Sequence, residues 1–139
     1  MVEVTRNGAV ESVHQGTAVL INSSGEILKE WGKSDILIYP RSALKPIQSL
    51  NLYKEGVAEA LNLSDELIAL TTASHHAENF HQEMISDWLK KMNLNENSLS
   101  CGPTWPWNII DQFQAHSKYK AKRKIFHNCS GKHCGHLAV

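Results

Sequence analysis

Three short segments of this 139-residue chain gather the side chains that can serve as nucleophile, base or metal ligand. The first is Arg41-Ser42-Ala43-Leu44-Lys45-Pro46. Ser42 and Lys45 stand three residues apart, so at a helix start their side chains share a face. An uncharged lysine can take the proton from a serine hydroxyl and turn it into a nucleophile. The helix N-terminus then stabilises the negative charge that develops on the substrate. Ser-x-x-Lys by itself arises by chance roughly once in every few hundred residues of average composition. A capping serine beside a surface lysine fits the same letters.

The second segment is Ala73-Ser74-His75-His76-Ala77-Glu78, with His81 following. It falls where one helix should end and another begin, a common place for site residues. Adjacent serine and histidine usually point apart, so Ser74-His75 is not in itself a dyad, and polar turn residues would read the same way. The third segment runs from His127 to His136 through Asn128-Cys129-Ser130-Gly131-Lys132-His133-Cys134-Gly135. On a helix beginning here Cys129 and Lys132 share a face, as do His133 and His136. That density suits a metal site or a reactive cysteine. The spacing is not that of a zinc finger, since no Cys-x-x-Cys pair is present.

The elements that must position these groups divide into early strands and later helices. VESVHQGTAVLIN is β-branched and partly alternating, Ser-Ser-Gly-Glu makes a turn, and EILKEWG returns, so residues 10–32 resemble a hairpin. The short apolar run 36–39 is a further strand candidate, closed by Pro40. A helix should open at Arg41 or Ser42 and run to about Glu55, with Pro46 in its first turn and Gly56 ending it. Ser64 should cap a helix from Asp65 to about Ala73. The clearest helix spans Glu78–Met92, with Phe80, Met84, Ile85, Trp88, Leu89 and Met92 on one stripe and Gln82 facing away. Residues 101–108 read as a loop, a short strand is expected near 124–127, and a helix from Gly131 to Val139. Strands followed by helices in unequal blocks favour an α+β or mixed α/β architecture.

Composition narrows the function classes. Hydrophobic residues make up 42% and charged residues 20%, which argues for a globular domain over disorder. Lys+Arg and Asp+Glu both count 14, so bulk charge predicts no nucleic-acid or membrane partner. The basic run from Lys118 to Lys124 follows the last acid, Asp111, and reads as a solvated loop. No apolar run is long enough to span a membrane, and the start does not read as a signal peptide. Three cysteines without an export signal fit free thiols in a reducing cytoplasm.

Taken in order, the segments resemble the L-asparaginase II family of the thermolabile, rhizobial type, across essentially the whole chain. Glu11-Ser12-Val13-His14 is similar to its first block, RSALKPIQ (41–48) to its Ser-x-x-Lys block, and ASHHAENFH (73–81) to its Ser-His-x-Gly-Glu-x-x-His block. CGPTWP (101–106) is similar to its Cys-Gly loop, and NCSGKHCG (128–135) to its metal block. Four positions depart from that pattern. Ala77 stands for a usual Gly, Asn79 for a common Pro, Thr104 for a common His, and Cys134 for a usual Ala.

The resemblance implies a fold like serine β-lactamases and glutaminases, a mixed sheet flanked by helices, and hydrolysis of L-asparagine to L-aspartate and ammonia. It implies two catalytic Ser-Lys pairs, Ser42 with Lys45 and Ser74 with a lysine beyond residue 139, in which neutral Lys45 draws the proton from Ser42 and Ser42 attacks the side-chain amide carbon. It implies Arg41 and His133 near the substrate or the metal, and Cys129 and Lys132 as two ligands of a Zn2+ that orients the substrate, a further cysteine lying beyond the end. A homodimer is implied by the family alone. The chain ends on an apolar stretch without a cap, so it is expected to be the N-terminal part of one asparaginase domain and inactive by itself. Two other readings fit the same residues: a non-enzymatic zinc- or thiol-binding module on residues 127–136, and a Ser-x-x-Lys acyltransferase of the penicillin-recognising type.

Overall fold

The computed structural model describes residues 2–139. It has an α+β composition and divides into two compact units, residues 1–39 and 40–139.

The first unit contains the strands. β1 (Val2–Arg6) pairs antiparallel with β2 (Ala9–His14) through Asn7-Gly8, both at positive φ (49° and 81°). Asn-Gly is the pair a tight two-residue hairpin turn selects, because its twist matches that of the strands. β3 (Ala18–Ile21) pairs antiparallel with β4 (Ile27–Trp31). The Asn22 side chain closes that turn by accepting from the backbone N–H of Ser24 and Glu26. The expected hairpin is therefore this second one, with residues 10–14 belonging to an earlier hairpin. Among the described residues the strands form two separate two-stranded sheets. Residues 36–39 form no strand, a correction to the sequence reading: Leu37 and Tyr39 are fully exposed. An apolar run of four is stable as a strand only with neighbours covering both faces, and Pro40 removes a donor at its end.

The second unit is helical. A 3₁₀ turn (Arg41–Leu44) runs into α1 (Lys45–Lys54), with Pro46 in the first turn where its missing N–H is harmless. Gly56 (φ 67°) ends that stretch and leads to the short α2 (Val57–Ala60). The Ser64 hydroxyl accepts from Leu67 N and caps α3 (Asp65–Thr72). α4 (Asn79–Lys91), α5 (Ile109–Tyr119) and α6 (Ser130–Ala138) follow. Leu52, Leu70, Ile85, Trp88, Leu89, Leu99, Ile125, Phe126 and Cys134 form the core of this unit.

Two details of α4 correct the expected stripe. Phe80 is exposed, whereas Gln82 is buried and donates from Nε2 to the Ala77 carbonyl at 2.7 Å. Burial of Ile85, Trp88 and Leu89 turns this face inward, and Gln82, one turn before Ile85, is tolerated there because its Nε2 is bonded to that carbonyl. Residues 124–126 form a 3₁₀ turn instead of a strand. The pairing falls one residue earlier, as a single bridge between Thr104 and Arg123. α5 is an unexpected helix. The basic run before α6 is partly spent inside the fold: Arg123 pairs with Glu96 at 2.9 Å, and Lys124 Nζ donates to the carbonyls of Asn97 and Leu99. Among the described residues no helix is long and apolar enough to cross a membrane.

Candidate active site

Lys45 stands at the first position of α1 and is 3% exposed. Its Nζ donates to the Ala73 carbonyl at 2.6 Å and to Ser74 Oγ at 3.0 Å, both just past the end of α3. No carboxylate pairs with it among the described residues. Ser42, three residues earlier, is exposed on the 3₁₀ turn; its carbonyl accepts from the Lys45 backbone N–H, and among the described residues no hydrogen bond joins its hydroxyl to Lys45 Nζ. The preceding Arg41 is exposed with φ at 49°, a left-handed conformation that a non-glycine residue seldom holds. The structure thus brings Lys45 to the hydroxyl of the second segment.

Ser74 is exposed, and the chain around it is pinned from beneath by His75. His75 Nδ1 accepts from Ala77 N at 3.1 Å, so the ring proton sits on Nε2. Nε2 donates to Ser130 Oγ at 2.8 Å, and Ser130 passes its own hydroxyl proton to the Ile125 carbonyl at 3.0 Å. The backbone closes the same joint, since His75 N donates to Asn128 O at 3.2 Å. Burial lowers the His75 pKa to about 4, helped by the nearby His81, His127, Lys45 and His76. A neutral histidine with both nitrogens engaged is a strut between two motifs and no general base. Ala77 beside it is fully buried at φ 63°. His76 lies parallel to Trp107, with ring centroids 5.9 Å apart.

The third segment opens α6. Cys129 occupies the N-cap position, and its N–H donates to His127 Nδ1 at 3.0 Å. Gly131 and Gly135, one turn apart, let α6 lie directly against Leu70 and Thr71 of α3. Cys134 faces the core, where burial pushes its thiol up to about 12. Cys101 is also buried and raised for the same reason. Cys129 is therefore the half-buried thiol of the three. Burial, and after it the charge of the half-buried Lys132, depresses the imidazoles of His127, His133 and His136. Lys45 adds to that effect on His127. Lys45 and Lys132 line one small cleft with Gln48, Ser49, Leu52, Thr71, Gly135 and His136. Its inner space is about 10 Å³, room for one water.

The fit to Zn2+ is partial. Cys129 and Lys132 offer a thiolate and an amine three residues apart at a helix start. A catalytic zinc takes three protein ligands and a structural one four. Among the described residues no group of three or more His, Cys, Asp and Glu side chains converges on a point.

Of the residues singled out from sequence, Lys45 and Ser74 meet directly, and Lys132 shares a cleft with Lys45. Ser42 and Arg41 are exposed, and His133 is half-buried on α6. Sequence reading missed Ser49, Thr71 and Ser130. The first two had a signal in their spacing, one turn after Lys45 and one turn before Ser74. The family described as L-asparaginase II matches residues 2–139. No curated protein matches the chain.

Proposed function

The chain belongs to the L-asparaginase II family, and from that premise we propose that it hydrolyses the side-chain amide of L-asparagine through a serine activated by Lys45. The contact of Lys45 Nζ with Ser74 Oγ at 3.0 Å carries this reading. For the reaction the amine must be neutral. One of its hydrogens then stays on the Ala73 carbonyl, which turns the nitrogen lone pair toward the Ser74 hydroxyl.

In this scheme Lys45 takes the Ser74 proton as Oγ attacks the side-chain amide carbon. The proton passes to the amide nitrogen, the C–N bond breaks and ammonia leaves. Water, deprotonated by the same amine, cleaves the aspartyl ester and restores the hydroxyl. Arg41 is assigned to the substrate carboxylate for its fixed charge and forked donors, and His133 to the substrate as well. Cys129 and Lys132 are the residues here that would hold a Zn2+, whose charge would orient the substrate. Within the family likeness the protein is a homodimer.

Ammonia release from L-asparagine, measured on the protein as its gene encodes it, tests the proposal. Lys45→Met and Ser74→Ala should each lower kcat by at least about a hundredfold while melting normally. Full activity in Ser74→Ala with loss in Ser42→Ala would move the nucleophile to Ser42. Activity retained in Lys45→Met would end the Ser-Lys reading, and stable acylation by a β-lactam would favour a penicillin-recognising enzyme.

A further inference from the structure

A second polar contact crosses the seam between α1 and α3 one turn from Lys45. Ser49 and Thr71 are 8% and 3% exposed, and their hydroxyl oxygens lie 2.8 Å apart. Ser49 Oγ also reaches the carbonyl of Lys45 itself at 2.8 Å. Thr71 Oγ1 reaches the Ile68 carbonyl at 2.7 Å. Two hydroxyl hydrogens serve three contacts, so at any moment one hydroxyl gives up its own helix to bond across the seam. The remaining face of Thr71 meets α6: its Cγ2 lies 3.0 Å from where a Cβ on Gly135 would stand. All three residues line the cleft that Lys45 and Lys132 share.

We propose that the Ser49–Thr71 hydroxyl pair is a positioning device that sets Lys45 Nζ against Ser74 Oγ. A lysine stem has four rotatable bonds, so its amine goes where its acceptors are. Both acceptors, Ala73 O and Ser74 Oγ, hang from the end of α3. Their place relative to the start of α1 depends on how the two helices are registered. The apolar core that contains Leu52 of α1 and Leu67 and Leu70 of α3 holds the helices together without fixing that register, because hydrophobic burial has no direction. A hydroxyl pair has direction, and this one is anchored on the Lys45 carbonyl. The consequence for rate rests on the hydrolase reading; the geometry does not.

The test follows the Lys45 ammonium or amine protons by 15N-detected NMR of the full chain, assigned by their loss in Lys45→Met. Thr71→Val keeps the methyl that meets Gly135 and removes the hydroxyl, and Ser49→Ala removes the other. Each should speed exchange of the Lys45 protons by about tenfold and lower kcat for asparagine by about tenfold with KM nearly unchanged. Thr71→Ser and Ser49→Thr keep the hydroxyls and should restore both. The double variant should lose no more than the worse single one, as a shared bond requires. Wild-type exchange in a folded Thr71→Val or Ser49→Ala protein overturns the proposal. Should Thr71→Val melt out, Ser49→Ala decides alone. Exchange that responds in a protein releasing no ammonia would uphold the positioning and sink only the hydrolase reading.

Discussion

Gly131 lies against Leu70 with no space for a side chain: an added Cβ would stand 2.6 Å from Leu70 Cγ and 2.6 Å from the Leu70 carbonyl oxygen. The carbonyl is backbone and cannot swing aside, so α6 would have to lift from α3. Gly131→Ala should therefore destabilise the protein by about 1–3 kcal/mol, read as a lower urea midpoint. Gly135→Ala meets side-chain carbons and no backbone, the nearest being Thr71 Cγ2 at 3.0 Å, and should cost less. A Gly131→Ala midpoint equal to wild type would mean that the α3–α6 contact is looser than described.

The His75–Ser130–Ile125 chain makes stability depend on pH. The folded His75 pKa is lowered to about 4, against 6.5 for a free histidine. Between those values the unfolded chain binds a proton that the folded one excludes, so stability is full above 6.5 and falls as pH drops toward 4. His81, His127, His133 and His136 are shifted in the same direction and steepen the fall. Urea midpoints measured from pH 7.5 to 4 should decline, and the His75 ring should titrate near the bottom of that range by NMR; titration near 6.5 would contradict the buried bond. Ser130→Ala leaves the His75 Nε2–H and the Ile125 carbonyl without partners, and should cost about 1–3 kcal/mol at neutral pH.

How much of this was readable beforehand depends on whether the signal was local. The Ser64 cap, the Pro46 helix start and the Gly56 stop were legible because each acts through its own backbone. Asn7-Gly8 carries an equally local signal for the first hairpin, through two residues at positive φ. The α5 helix was harder, since Ile109, Ile110 and Phe113 are exposed and only Ala115 is buried, so its pattern shows no core face. Asn108, whose side chain accepts from Ile110 N, was its one clear mark. For the site, residue type pointed to Lys45 and Ser74, but not to their meeting. Sequence spacing favours Ser42, which is near in the chain. The partner chosen was set by the packing of α1 on α3, a contact across 29 residues that no spacing rule encodes.

Ala77 combines full burial with a φ of 63°. A left-handed alanine costs roughly 1–2 kcal/mol, and the segment keeps it because Ala77 N bonds His75 and Ala77 O bonds Gln82. Ala77→Gly relieves the strain and gives up a buried methyl worth about 0.8 kcal/mol. The net should be a gain of no more than about 1 kcal/mol, seen as a small rise in urea midpoint with activity unchanged. A loss of more than about 1 kcal/mol would show that methyl packing, not backbone strain, dominates at this position.

Zinc affinity should separate Cys129 from Cys134 by their placement. Cys129 is half-buried at the mouth of α6, one turn from Lys132, whereas the Cys134 thiol lies in the core and resists ionisation. A cysteine binds zinc as its thiolate, so Cys129→Ser should lower affinity by about tenfold or more, and Lys132→Met, which removes the amine, should do likewise. Cys134→Ala should leave zinc binding near wild type, while its urea midpoint falls for the lost packing. A lysine ligand binds only without its proton, so affinity should also weaken as pH falls from 8 to 6. Isothermal titration with Zn2+ on the four proteins reads these differences. Equal affinity in Cys129→Ser and wild type would remove Cys129 from the metal and leave α6 without a metal role.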